Sequence, residues 1–171
     1  MRGYGNIRLW PMLAISCLCA VGLPLHAAQR LDDSASPRQV VSTIAITDGQ
    51  GNPLDGMRPP TEILLQYGAI EYRLATAAYV GKQARVYFVI PPYIPGLQNP
   101  AALLAQWQGS GDFRDGSARP GTRALVWAGM VRAPWLTGAL QLTYRIDPRH
   151  MQRHFGTGPG IEPYFEIETQ P

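Results

Sequence analysis

From residue 28 onward the chain has no cysteine, because Cys17 and Cys19 both lie in the first 27 residues. That removes disulfides, thiol nucleophiles, zinc–thiolate sites and iron–sulfur ligation from this part of the chain. Charge is scarce as well, with Asp, Glu, Lys and Arg at 16% and a single lysine, Lys82. Histidine is limited to His26, His150 and His154. Apart from one N-terminal run, no stretch is long and apolar enough to suggest a membrane span. A mainly helical chain is disfavoured by 18 glycines and 16 prolines, and disorder by 46% hydrophobic residues.

The N-terminal run has the layout of an export signal. Arg2 and Arg8 precede an apolar stretch from Leu9 to Leu25, and the small residues Ala27 and Ala28 follow. Cleavage is expected after Ala27, leaving 144 residues, the size of one domain. Read instead as an anchor, the stretch of 17 residues carries Pro11 and Pro24 and falls short of the roughly 20 residues a spanning helix needs. Ala14-Ile15-Ser16-Cys17 is similar to a bacterial lipoprotein acylation site, but the sequence after Cys17 stays apolar, which favours simple export to the periplasm or beyond. Removing Arg2 and Arg8 lowers the formal charge from +3 to +1, with 13 basic against 12 acidic groups. A near-neutral chain has no electrostatic basis for binding nucleic acid or an anionic membrane. The preference for arginine over lysine suits a bacterial genome rich in G and C.

Residues 28–38 are polar and read as a flexible lead-in to a single domain over 39–171. Gln39 to Thr47 is β-branched and runs into the turn formers Asp48-Gly49-Gln50-Gly51-Asn52. An irregular link over 53–60 follows. Ile70 to Val80 alternates, and Arg85 to Ile90 alternates after a short Gly81-Lys82-Gln83 connection, which predicts a hairpin. Asn99 to Gly109 has a capping residue, Pro100 at the first helical position and good helix formers, which predicts a short helix. Gly109 to Gly121 reads as a polar loop and Arg123 to Arg132 as a central strand. Ala139 to Asp147 alternates most cleanly, Asp147-Pro148 opens a helical turn closed by Gly156, and Tyr164 to Thr169 alternates again. These segments predict a mainly β fold: an antiparallel β-sandwich with one or two short helices, Ig-like in architecture but without the disulfide.

Candidate sites are few. His150 and His154, four apart on a helical turn, could share a metal ion with Asp147 or Glu162, although no HExxH pattern accompanies them. Asp48, Asn52 and Asp55 supply oxygen ligands, but turn chemistry accounts for them equally well. In the loop, Asp112, Arg114, Asp115 and Arg119 form a candidate polar recognition surface. Trp107, Trp135 and Tyr93 are candidates for an aromatic platform that stacks on sugars or anchors a protein. Ser42, Ser110 and Ser117 fall in no GxSxG motif, and Glu166 and Glu168 form an ordinary same-face pair. No catalytic constellation is complete and no cofactor is implied. The sequence therefore predicts an exported, non-enzymatic module that engages an envelope protein, with a small-ligand binder as the alternative.

Overall fold

The computed structural model describes residues 28–37, 43–54, 59–151 and 160–170, with backbone alone at 43 and 44. Nine strands lie in these residues: β1 (Gln29–Arg30), β2 (Thr43–Asp48), β3 (Ile63–Ala75), β4 (Gln83–Val89), β5 (Leu103–Gly111), β6 (Gly116–Ala118), β7 (Arg123–Met130), β8 (Trp135–Ile146) and β9 (Tyr164–Thr169). One sheet has the order β1-β9-β4-β7, the other β2-β3-β8-β5-β6, and every pairing is antiparallel. The fold is the expected mainly β sandwich. Among the described residues helix is limited to single 3-10 turns, at Ala77–Tyr79, Pro100–Ala102 and Pro148–His150. None of these is long and apolar enough to cross a membrane.

Alternation builds the core. Leu140, Leu142, Tyr144 and Ile146 of β8 are buried, and Ala84, Val86 and Phe88 of β4 face them with Phe165 and Ile167 of β9. At the centre, Phe88 meets Trp107 edge-on at 4.9 Å, Tyr72 meets Phe165 at 4.9 Å, and Phe113 stacks on Phe165 at 5.5 Å. Such offset and edge-on pairs add to the stabilisation from area burial alone. Burial holds the Tyr72 and Tyr144 hydroxyls well above the ordinary phenol range.

The expected helix over 99–109 is instead a capped turn followed by a strand. Asn99 does cap, its side chain accepting from the Ala101 N–H, and Pro100 does open a turn. From Leu103 on, however, the buried residues are Leu103, Ala105 and Trp107, a period of two, and β5 pairs along β8 from Leu103–Ile146 to Gly111–Gly138. Helix propensity is worth tenths of a kcal/mol per residue, and a strand site beside a central strand outweighs it.

The expected hairpin of β3 and β4 does not form either. The two strands belong to different sheets, and residues 76–82 turn the corner between them. Thr76 fixes that corner, because its hydroxyl donates to the Ala133 carbonyl at 2.9 Å and its N–H to Pro134 at 2.8 Å. The strand β3 starts at Ile63, earlier than its alternation suggests, and ends at Ala75 rather than Val80. A bulge between Gln66 and Ala69 explains the late start, since it moves the core-facing set from odd positions (Leu65, Tyr67) to even ones (Ile70, Tyr72, Leu74). β7 is an edge strand, not a central one. Part of the polar loop over 109–121 is β6, paired to β5. Residues 28–37, expected to be flexible, are tied down: β1 pairs with β9, Leu31 is buried, and the Ser36 hydroxyl accepts from the Arg73 N–H.

Candidate functional site

Two hollows take in four of the residues singled out by sequence, Asp112 and Trp135 in one and Trp107 and Asp115 in the other. The first, of about 210 Å³, is at the end of the sandwich where residues 76–82 meet 130–135, and Trp135, Trp127, Met130, Arg132 and Asp112 line it. Hydrogen bonds from Gly81 N–H to the Val131 carbonyl and from Val131 N–H to the Lys82 carbonyl hold its walls together. Leu136 and Val131 form its buried floor. Large apolar side chains reach the surface around it: Val80 is 50% exposed, Met130 47% and Trp135 37%. The Arg73 guanidinium lies over the Trp135 ring, 4.5 Å from its centroid. Arg132 is exposed and has no partner among the described residues.

The second hollow, of about 470 Å³, lies on the outer face of the five-stranded sheet and is lined by Gln66, Gln106, Gln108, Gln141, Thr143 and the Trp107–Asp115–Gly116 edge. Strand register creates it. Thr143 is opposite Gln66 on one side and Gln106 on the other, while Gln141 is opposite Gln108. Their chain neighbours Leu65, Ala105, Trp107 and Leu142 are buried on the other side of the sheet, so alternation points the amides outward.

The structure divides the predicted aromatic platform. Trp135 and Trp107 project from opposite faces of the same sheet, since residues of Trp135's parity on β8 face out and Trp107 is only 4% exposed in the core. The Trp107 indole N–H donates to the Arg114 carbonyl at 3.1 Å, and Gly116 leaves room for the ring, because a Cβ there would come within 2.7 Å of it. Tyr93, 74% exposed on the 91–98 loop, lines neither hollow.

The predicted recognition surface is also dispersed. Asp112 accepts from the Thr137 N–H at 3.1 Å and borders the end cleft; Asp115 accepts from the Gly109 N–H at 2.8 Å and borders the amide trough. Arg119 donates to the Ala101 carbonyl at 2.9 Å, and Arg114 extends into solvent. Most of these polar groups therefore fold the loop. Backbone carbonyls and N–H groups need partners wherever chain leaves a ladder, and short Asp side chains supply them locally.

The histidine proposal falls partly on residues the structure does not describe. His150 is on the 3-10 turn capped by Asp147, His154 lies outside the described residues, and no group of three metal-binding side chains occurs among those described. Asp147 instead binds the Arg149 guanidinium, which lowers its carboxyl to about 2. Asp48 accepts from the Gln50 and Asn52 N–H groups in an ordinary turn, and Asp55 lies outside the described residues. Sequence reading missed Trp127 as a cleft residue and missed all the glutamines, whose alternation with buried residues was the available signal. No protein-family model, curated protein or solved structure matches this chain.

Proposed function

We propose that this chain is an exported, non-enzymatic β-sandwich that serves as an interaction module in the bacterial cell envelope, docking a protein partner through the end of the sandwich around Trp135. The single observation that carries the reading is that the exposed Met130 and Trp135 line a cleft floored by buried aliphatic side chains, with Val80 exposed on the adjoining 76–82 corner. Exposed apolar patches with a polar rim are a property of interaction surfaces, and Trp, Met and Arg are the residue types enriched there. Arg132 and Arg73 give the rim positive charge, which fits a partner that inserts an apolar side chain flanked by acidic residues. Export rests on the N-terminal charge and hydropathy pattern, and the non-enzymatic reading on the incompleteness of every catalytic motif in the sequence.

The test is site-specific photo-cross-linking in living cells, with the reactive residue at position 130 and, as a control farther along the outer face of the five-stranded sheet and outside the cleft, at position 141. The expected result is one discrete heteromeric product from position 130 and none from 141. Trp135→Ala should then weaken binding of that purified partner by about thirtyfold at unchanged Tm, the scale of a hot-spot truncation. A product of twice the chain's own mass would replace the envelope partner with a second copy. No product from position 130 in a folded, exported protein would overturn the reading.

A further inference from the structure

The amide trough has no part in the docking end, and its chemistry is different. Gln66, Gln106, Gln108 and Gln141 belong to three adjacent strands, share one trough, and have no hydrogen-bond partner among the described residues. Each free amide offers one carbonyl acceptor and two N–H donors, and Thr143 adds a hydroxyl at the centre of the row. The one ionisable lining residue of the trough is Asp115, a carboxylate with one oxygen accepting from the Gly109 N–H, so the trough carries no positive charge of its own. The only arginine beyond its lower end, Arg145, is bound by both nitrogens to Glu62, at 3.1 and 2.6 Å.

We infer that this face is a binding site for a neutral, polyhydroxylated chain, that is, an uncharged oligosaccharide. A sugar hydroxyl both donates and accepts, as each amide does, so mixed donor–acceptor rows match it without buried charge. The spacing also suits a chain. Same-face residues recur about every 6.8 Å along a strand and about every 4.8 Å across strands, the scale on which hydroxyls recur along a glycan. A second hollow of about 420 Å³, whose lining includes Ser110, Thr137, Ala139 and the oppositely charged Glu71 and Arg73, continues the trough along the same face of β8. From Thr137 to Thr143 that face runs about 20 Å, at about 3.4 Å per residue, long enough for several sugar units in a row. An anionic glycan has no free cation to meet in the amide row. At Gln66, Gln106 and Gln141 the strands are paired on both sides, so a protein strand finds no open edge at those positions.

Titration of the isotope-labelled full-length secreted protein with cello-, malto- and laminari-oligosaccharides tests this, with oligogalacturonate as the anionic counter-probe. The expected result is saturable shifts of glutamine side-chain amide signals with at least one neutral series and not with oligogalacturonate. The double variant Gln106→Ala/Gln141→Ala should weaken that binding by about tenfold or more, each lost neutral hydrogen bond being worth roughly a factor of two to ten. Gln141→Glu, which keeps the side-chain shape, should weaken it too, and Trp135→Ala should leave it unchanged. The inference is overturned if no neutral series binds, if oligogalacturonate binds as tightly, or if the shifts map to the Trp135 end and survive the double variant. Because Trp135 and the glutamines are separate, failure here leaves the docking end untouched, and the reverse also holds.

Discussion

On the outside of the four-stranded sheet, the Arg123 guanidinium binds Glu168 at 2.6 Å and lies 4.3 Å from the Tyr87 ring centroid, while Arg30 covers Tyr164 at 4.7 Å. Glu166 and Glu168 project between them from β9. On the outside of the five-stranded sheet, the central positions are glutamines and a threonine whose side chains have no hydrogen-bond partner among the described residues. Both faces are half-exposed sheet surfaces built by the same alternation, yet one pairs the charges at its centre and the other, although Arg145 and Glu62 pair near one end, leaves its central amides free among the described residues. The Arg123 side chain on β7 reaches across β4, over the Tyr87 ring, to Glu166 and Glu168 on β9, so this face satisfies its charges across the width of the sheet. Neutral amides gain little from pairing in water, so a row of them remains available to something else.

Four substitutions and two pH dependences would break or sharpen this comparison. The largest effect is expected from Phe165→Ala, which removes the ring packed on Phe88, Tyr72 and Phe113 between the two sheets. It should cost about 3–5 kcal/mol in denaturant unfolding, and reporters on the two outer faces should lose signal in one transition. Separate transitions would mean that the faces belong to independently stable sheets. Next, Gly138→Ala crowds the amide-bearing sheet from its core side, because its Cβ would lie 2.6 Å from the Ser110 carbonyl and 2.7 Å from the Phe113 ring. A loss of about 1–3 kcal/mol is expected for such overpacking; a neutral result would show that the loop yields easily.

Arg123→Ala probes the self-satisfied face. At 40% side-chain exposure its ion pairs are well screened, so about 0.5 kcal/mol is expected, shrinking with added salt. Gln141→Ala should fall within about 0.5 kcal/mol of zero and show no salt dependence. Equal costs for the two would remove the distinction between the faces.

The smallest effects are on pH. Tyr144 is buried and its folded pKa is raised, so it contributes stability that is full below the ordinary value of about 10 and is lost as pH rises toward the folded value. Thermal melts should therefore fall at alkaline pH, and fall less steeply in Tyr144→Phe, with Tyr72 responsible for part of what remains. Asp147 has the opposite sign: its folded pKa of about 2 contributes stability above the ordinary value of about 3.9, lost as pH falls toward 2. Asp147→Asn should flatten the acid limb; an unchanged limb would assign acid sensitivity elsewhere.

Much of the strand content could be read directly. In β8 and β9 the residues that alternate in the chain are those that are buried, because a half-covered strand must place apolar groups on one side. The capping signals at Asn99 and Asp147 were equally legible, since a cap is satisfied within a few residues. Where reading failed, the deciding contact was distant. The helix expected over 99–109 gave way to β5 because β8, some forty residues later, offers a complete ladder. The 76–82 connection looked like a hairpin, but its Thr76 is held by residues 133 and 134. The bulge in β3 broke the period by one residue, and only pairing with β8 reveals it.

The candidate sites divide in the same way. Residue type and alternation alone determined that the chain is mainly β, that its cysteines lie outside residues 28–171, and which side of β8 faces the core. Tertiary structure decided that Trp107 is core while Trp135 is surface, that Asp112 and Asp115 border different hollows, and that four scattered glutamines share one trough. The reason is physical. Which face a residue takes is a local property of the backbone, whereas which residues become neighbours depends on strand order and register, set by pairings between segments far apart in the chain.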